Sequence, residues 1–157
     1  YCGLIYRFST GAGVSPRMRF RLLPNTLTWA AYWEKSLVLS QPEFRRSFIS
    51  VQDMAESLIY GIRNYDKMLY AYEKPVYNMG HPDNNWSKRK LAEYICSKTG
   101  ASLFINDDMY KDIDQRDYEI DMSRMKSVGF KCKDTMDKII DDVLKVVPFY
   151  DSIPALD

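Results

Sequence analysis

Apolar positions along this chain come in short runs separated by polar turns, with helical spacing between several of them. Leu4-Ile5-Tyr6-Arg7-Phe8 is closed by Gly11-Ala12-Gly13, which predicts a buried strand leaving into a turn. Leu22 to Trp33 carries no charge and predicts a loop passing into a helix, and Lys35 to Leu39 a short strand. Arg46-Ser47-Phe48-Ile49-Ser50-Val51 is rich in strand formers. Asp53 then stands as the cap of a helix with Met54, Ala55, Leu58, Ile59 and Ile62 on one side.

The strand-to-helix unit recurs. After a Tyr-rich loop, Val76-Tyr77-Asn78-Met79 predicts a strand ending at Gly80, and Ser87 caps a helix carrying Leu91, Tyr94 and Ile95. Leu103-Phe104-Ile105 predicts another strand. An acidic segment from Asp107 to Asp121 follows, then a short helix from Ser123 stopped by Gly129. The final helix places Met136, Ile139, Ile140, Val143, Leu144 and Val147 on one stripe behind Asp134 as cap, and Pro148 ends it. No internal repeat of solenoid period is present, so the pattern predicts an α/β or α+β fold.

Composition narrows the classes. With 157 residues and 46% hydrophobic residues the chain can bury one core, and a formal net charge of +1 gives no broad attraction to nucleic acid or anionic membrane. The charge-free stretch Leu22 to Trp33 is 12 residues, short of the roughly 20 a spanning helix needs, so no membrane partner is expected. Cys2, Cys96 and Cys132 are an odd number at wide spacing, which fits a reducing, cytoplasmic setting. A single histidine, His81, and no CxxC leave no metal-site motif. The opening at Tyr1, without a methionine or a secretory pattern, reads as a piece of something longer.

Local signals for chemistry are few. Tyr70 to Lys74 and Tyr94 to Lys98 have the Tyr-x-x-x-Lys spacing of a lysine-assisted tyrosine acid, but with 12 Tyr and 12 Lys about one such pair arises by chance. Gly11 and Gly13 follow a strand, yet Pro16 stands where a dinucleotide fingerprint needs its third glycine. The aspartates from Asp107 to Asp117 lack the central glycine and closing glutamate of a calcium loop. His81 reads as a loop residue. Arg17, Arg19, Arg21, Arg45 and Arg46 lie at loop and strand ends, and Lys111 and Arg116 among acids, placements suited to forked phosphate recognition. Arginines beside aromatics also suit single-stranded nucleic acid, against which the near-zero net charge argues.

Four segments then occur in a recognisable order: Arg7-Phe8-Ser9-Thr10-Gly11-Ala12-Gly13, Arg46 to Asp53 with its helix, Val76 to Gly80, and Tyr118-Glu119-Ile120-Asp121-Met122-Ser123. In this order the chain resembles, from Leu4 to about Val147, the C-terminal half of extended short-chain dehydrogenase/reductases, the NAD(P)-dependent sugar-nucleotide epimerases and dehydratases. The resemblance implies an α/β fold: the last part of a Rossmann sheet with its loop (1–16), then a mostly nucleotide-sugar-binding portion (17–157). It also implies that the glycine-rich turn and the catalytic Ser/Thr and Tyr-x-x-x-Lys helix belong to an N-terminal half. This chain would then supply no catalytic residue and would need that complementary half, or a chain carrying it. NAD or NADP would be bound mainly there, and the complete enzyme is expected as a homodimer. A noncatalytic nucleotide-sugar-binding or interaction module derived from the family is the second expectation.

Residue by residue, Arg46 matches the family arginine that opens the strand and holds a nucleotide phosphate. Arg21 matches a position beside the nucleotide, and the backbone at Leu22 would approach the base. Lys111 or Arg116 matches a second phosphate ligand. Thr10 replaces the family's asparagine on the nicotinamide side, and Ala12 its tyrosine, so contacts there differ from the family pattern. Ser47 and Gln52 replace residues that are commonly acidic, and His81-Pro82-Asp83 replaces a small turn.

Overall fold

The computed structural model describes residues 3–106 and 117–153. In chain order the elements are β1 (Ile5–Phe8), β2 (Thr10–Ala12), α1 (Leu23–Trp33), β3 (Ser36–Leu39), β4 (Arg45–Ser50), α2 (Val51–Arg63), α3 (Tyr65–Tyr70), β5 (Val76–Met79), β6 (Asn85–Ser87), α4 (Lys88–Thr99), β7 (Ser102–Ile105), α5 (Ser123–Ser127) and α6 (Met136–Val146). β1 pairs with β5 and β3 with β7, both in parallel. β4 lies between β2, which is parallel to it, and the antiparallel β6. Among the described residues no helix is long and apolar enough to cross a membrane.

Alternation along β4 divides the interior. Phe48 points into a core built from Leu27, Ala31, Leu37, Leu39, Leu91, Ile95, Met136 and Ile140, that is from α1, β3, α4 and α6. The next residue, Ile49, points the other way, to Met68, Tyr77, Met79, Met125, Val128 and Phe130, around the β1–β5 sheet. One strand therefore serves two cores. The β1–β5 sheet joins strands about seventy residues apart, so it draws on the chain well beyond position 16.

Local chemistry explains most element ends. The Ser87 hydroxyl accepts the Lys90 amide at 3.1 Å, and Gly100 and Gly129 close α4 and the turn after α5 at φ +72° and +100°. α6 buries Met136, Ile139, Ile140 and Val143 and gives way at Val147–Phe149 to a single 3₁₀ turn containing Pro148.

Several expectations need correction. Gly11 and Ala12 are in strand β2, and only Gly13, at φ +104°, makes the turn. The Tyr-rich segment contains a helix, α3, because Met68 is fully buried beneath it. Strand β6 was not anticipated from its three-residue pattern Asn-Trp-Ser. The N-cap of α6 is Thr135 rather than Asp134. The cap of α2 is Ser50, whose hydroxyl accepts the Asp53 amide at 2.9 Å. Asp53 itself has turned inward. The buried face of α2 is Asp53, Ser57 and Gly61, and the apolar side Leu58, Ile59 and Ile62 faces out.

Asp53 is 1% exposed, and its carboxylate accepts the backbone amides of Lys133 (3.0 Å) and Asp134 (2.9 Å). Asn84 completes the clasp: its side chain accepts the Met136 amide at 2.9 Å and donates to the Asp134 carbonyl at 3.0 Å. Replacing the carboxylate strands one buried and one part-buried donor, each hydrogen-bonded to a charged group, so Asp53→Ala is expected to destabilise the fold by about 3 kcal/mol. Asp53→Asn keeps one acceptor oxygen and is expected to lose less. Urea unfolding at equal protein concentration measures both; an Ala variant as stable as the parent removes the clasp from the account.

Candidate functional site

The candidate site is built on the first residues of β4, because successive side chains of a strand point to opposite faces. Arg45 turns to residues 117–119. Its guanidinium holds Asp117 (3.2 Å) and Glu119 (2.6 Å), and its amide donates to Asp117 Oδ1 at 3.0 Å. The Ile120 amide then donates to Ser47 Oγ at 3.2 Å, and Asn78 Nδ2 donates to the Asp121 carbonyl at 3.0 Å. Residues 117–121 are thereby strapped across β4 and β5.

Arg46 points to the other face, in register with Trp86. It is half-buried, with its guanidinium 5.8 Å from the centre of the Tyr118 ring and one nitrogen donating to the Arg45 carbonyl at 2.9 Å. An arginine held against an aromatic face keeps hydrogen-bonding edges in a fixed plane. Strand pairing puts half-buried Thr10 opposite Phe48, on the same face as Arg46.

Arg21 and Leu22 lie elsewhere. Leu22 is half-buried at the N-cap of α1, and Arg21 is exposed before it. Asn25 of α1 accepts the Gly13 amide at 3.1 Å, which fixes this end of the helix to the C-terminal end of β2. Arg46 lies four residues ahead of Ser50, the partner of Ala12, so about 13 Å of strand separates Arg46 from the end of β2 to which α1 is fixed. Lys111 and Arg116 lie outside the described residues. Tyr118 and Ser47 are the contributors that were not nominated from sequence. Strand alternation through Arg45-Arg46 was the usable signal that one arginine would fix the strap and the other face the site.

Three cavities accompany these elements, and none is lined by Thr10, Arg21, Leu22 or Arg46. One of about 550 Å³ lies at the C-terminal end of β5, with Met79, Met122, Met125 and Phe130 among its walls and His81 beside them. His81 is 7% exposed and its Nδ1 accepts the Asp83 amide at 3.2 Å. A second, of about 300 Å³, lies where Ala12, Gly13 and Ser50 meet Lys138 and Asp142. A third, of about 720 Å³, runs along α2 beside Tyr60, Arg63 and Lys133. Among the described residues no group of three or more His, Cys, Asp or Glu side chains is placed to hold a metal ion. Tyr70 is 79% exposed, and Tyr94 is stacked edge-on against Trp86 at 5.4 Å, so neither Tyr-x-x-x-Lys pair stands in a catalytic setting.

Two groups have chemistry that can be read by titration. The Arg45 amide and guanidinium beside Asp117 hold its carboxyl below the ordinary carboxylate value of 3.8. A depressed carboxyl contributes stability above its ordinary value and loses it as pH falls through the lower folded one. The Ile120 amide resonance is therefore expected to stay unchanged until the pH is below 3.8, and Asp117→Asn to remove that acid-limb transition. A shift centred at or above pH 3.8 would show that the strap does not depend on this pair.

Burial, with the charges of Asp53 and Asp134, pushes the Cys132 thiol up to about 12, partly opposed by the Gly80 amide. Its contribution to stability is full below the ordinary thiol value of 9.0 and declines as pH rises toward 12. Mass-mapped alkylation with iodoacetamide at pH 8 is expected to label Cys132 about a thousandfold more slowly in the native than in the unfolded chain, since the thiolate is the nucleophile and its fraction falls by about that factor. Equal rates would contradict the buried thiol.

No family model matches this sequence. Solved structures do match. They include a GDP-D-glycero-L-gluco-heptose synthase from Campylobacter jejuni with NADPH (16% identity, TM-score 0.71, 94% of this chain and 53% of that one). A UDP-glucose 4-epimerase from Thermotoga maritima with UDP-glucose matches at 14% identity and TM-score 0.71, over 93% of this chain and 46% of that one. A dTDP-glucose 4,6-dehydratase from Bacillus anthracis with NAD matches at 20% identity and TM-score 0.67, over 90% and 43%. The chain spans about half the length of these structures. Its mixed α/β fold is shared with about half of each of these sugar-nucleotide enzymes.

Proposed function

We propose that this chain is the nucleotide-sugar-binding half of an NAD(P)-dependent sugar-nucleotide epimerase or dehydratase. The observation that carries the reading is Arg46: a half-buried guanidinium set against Tyr118 at the start of β4, in a fold shared with enzymes that act on nucleotide sugars. Residues 1–16 are read as the last part of a Rossmann sheet with its loop, and 17–157 as mostly the nucleotide-sugar-binding portion.

In this reading Arg46 holds a phosphate of the diphosphate through its fork, and Tyr118 fixes the plane of that fork. Arg21 and the Leu22 backbone stand at the base end, with Lys111 or Arg116 as the further phosphate cation. About 13 Å of strand between Arg46 and the end of β2 to which α1 is fixed calls for an extended ligand rather than a compact one. That Arg21, Leu22 and Arg46 lie outside the three cavities described above is in keeping with one wall of a cleft, the other wall being the cofactor half.

In this reading the turn after β2 is not the dinucleotide cradle. The Gly13 amide, the candidate donor of a phosphate loop, is taken by Asn25 Oδ1. NAD or NADP, which supplies hydride transfer when bound, is assigned mainly to the complementary half, with Thr10 as the contact from this side. No catalytic proton transfer is assigned to this chain, and the isomerase or lyase outcome rests with the half that carries the catalytic groups.

In the complete protein, Arg46→Ala is expected to weaken binding of a nucleoside diphosphate by about 2 to 3 kcal/mol, the scale for truncating one partner of a charge-assisted pair. Arg46→Lys should recover only part, because an ammonium lacks the fork. Affinity for the nicotinamide cofactor should stay nearly constant. Calorimetric titration decides: an Arg46→Ala protein that binds like the parent, while Arg63→Ala on the exposed end of α2 weakens binding, places the diphosphate elsewhere.

A further inference from the structure

We propose that the cavity at the C-terminal end of β5 is a binding site for a small carboxylate with an apolar body, its carboxylate accepting from Nε2 of His81. This site is separate from the Arg46 face and stands whether or not the function proposed above holds.

His81 is the group that makes the cavity a site rather than a gap. Its backbone is held twice: its amide donates to the Phe48 carbonyl at 3.4 Å, and its carbonyl accepts the Asn84 amide at 3.0 Å. The Trp86 indole ties down the same turn by donating to the Asp83 carbonyl at 2.7 Å. The His81 side chain is 9% exposed, and its Nδ1 accepts the Asp83 amide. A neutral imidazole that accepts through Nδ1 carries its proton on Nε2, and a charged one donates there as well. Nε2 has no hydrogen-bond partner among the described residues, and it is not sealed inside the protein, because the ring borders the cavity. Polar groups this far removed from solvent ordinarily have their partners, so this donor is held in place for something that enters.

Capping does not account for the choice of residue. The Nδ1 contact is that of an N-cap side chain for the single 3₁₀ turn Pro82–Asn84, a role that asparagine fills as well. What histidine adds is a second nitrogen, on the side of the ring away from the capped amide.

The walls select an apolar body. Met79, Met125 and Phe130 are buried, with half-buried Ile120 and Met122 beside them. Met122 lies so close over Gly80 that a Cβ there would stand 2.6 Å from its Cε. Three flexible thioethers make a wall that adapts its shape to a guest. About 550 Å³ with this lining and few polar groups is the setting of a small organic molecule, and it is too apolar for a compact ion such as phosphate.

The polar groups select the carboxylate. The Cys132 thiol, which also borders the cavity, keeps its proton at neutral pH because burial raises it, so it too stands as a donor. Asn85 is engaged by Ser47 and by the Pro82 carbonyl. Lys126 and Lys131 are exposed at the rim and have no ion pair among the described residues. Of the rim acids, Asp121 is occupied by the Ser123 amide and hydroxyl, each at 2.9 Å. Asp83 is 83% exposed, with its carboxylate 4.0 Å from Nδ1 and so on the far side of the ring from Nε2. Donors inside and unpaired cations at the mouth favour an acceptor that carries a negative charge.

The test uses the complete protein, with 4-phenylbutyrate as the probe and the methyl resonances of Met79, Met122 and Met125 as the readout. Saturable shifts of all three are expected. The uncharged counterpart 4-phenylbutanamide is expected to bind at least about tenfold more weakly, because a neutral acceptor replaces a charge-assisted one. His81→Asn keeps the cap and removes the Nε2 donor; it is expected to weaken 4-phenylbutyrate at least about tenfold and to leave urea unfolding unchanged. K126E/K131E is expected to weaken it about fivefold at low salt and to differ little from the parent at about 1 M salt. The comparison of acid with amide is made on the unsubstituted protein, so it decides even if the His81 variant fails to fold. An absence of saturable shifts, equal binding of the amide, or a folded His81→Asn protein that binds like the parent each overturns the proposal. Displacement of the probe by inorganic phosphate overturns it in favour of a compact-anion site, and displacement by a nucleoside diphosphate overturns it by placing the cavity within the nucleotide site.

Discussion

A buried carboxylate holds the two halves of this architecture in register. Asp53 accepts two backbone amides eighty residues further along the chain, at the point where α6 is about to begin. Buried charge is tolerated only when its hydrogen-bonding capacity is met, and here the donors are main-chain groups whose position is itself fixed by Asn84. With this junction in place α6 lies against α1 and delivers Met136, Ile139 and Ile140 to the larger core. The same clasp fixes the start of α2, so the helix that crosses the β1–β5 sheet and the helix that closes the other core are set by one contact.

β4 is the mechanical counterpart of that clasp. Phe48 and Ile49 commit adjacent residues to different cores, which fixes the strand's rotation about its own axis. The orientation of Arg45 and Arg46 follows without further instruction. Arg45 is drawn to Asp117 and Glu119 and becomes structural, while Arg46 is left on the face shared with Trp86 and Thr10. Site geometry in this molecule is therefore a consequence of core packing two residues away.

The contrast between α2 and α6 shows how far the fold is from covering its own apolar surface. α6 has a stripe whose Met136, Ile139, Ile140 and Val143 are buried, whereas the apolar stripe of α2 is exposed at Leu58, Ile59 and Ile62. The difference arises from what lies beneath: Tyr6 needs the space at Gly61, and Asp53 needs its two amides, so the polar and small side of α2 must face inward. Hydrophobic burial would favour the opposite rotation if this chain alone decided it.

The local part of this outcome was legible in the sequence. The α6 periodicity with Pro148, the Ser87 cap, the β5 run ending at Gly80 and the stop at Gly129 all depend on interactions within a few residues, and they are where the pattern put them. The ordered motifs also indicated the fold shared with the matched structures. Spacing, however, states only which residues share a helix face and not which way that face looks, so the outward turn of Leu58, Ile59 and Ile62 was not readable from it. Asp53 had the local signature of a cap and was taken instead by amides eighty positions away. Which of Arg45 and Arg46 turned toward Asp117 and Glu119 depended on how Phe48 and Ile49 were shared between cores. What the sequence by itself determined was the set of elements and their order, because those follow from short-range backbone and capping energies. The direction of each face and the partner of each buried polar group were decided only by tertiary structure, because they depend on which distant segments compete for the same space.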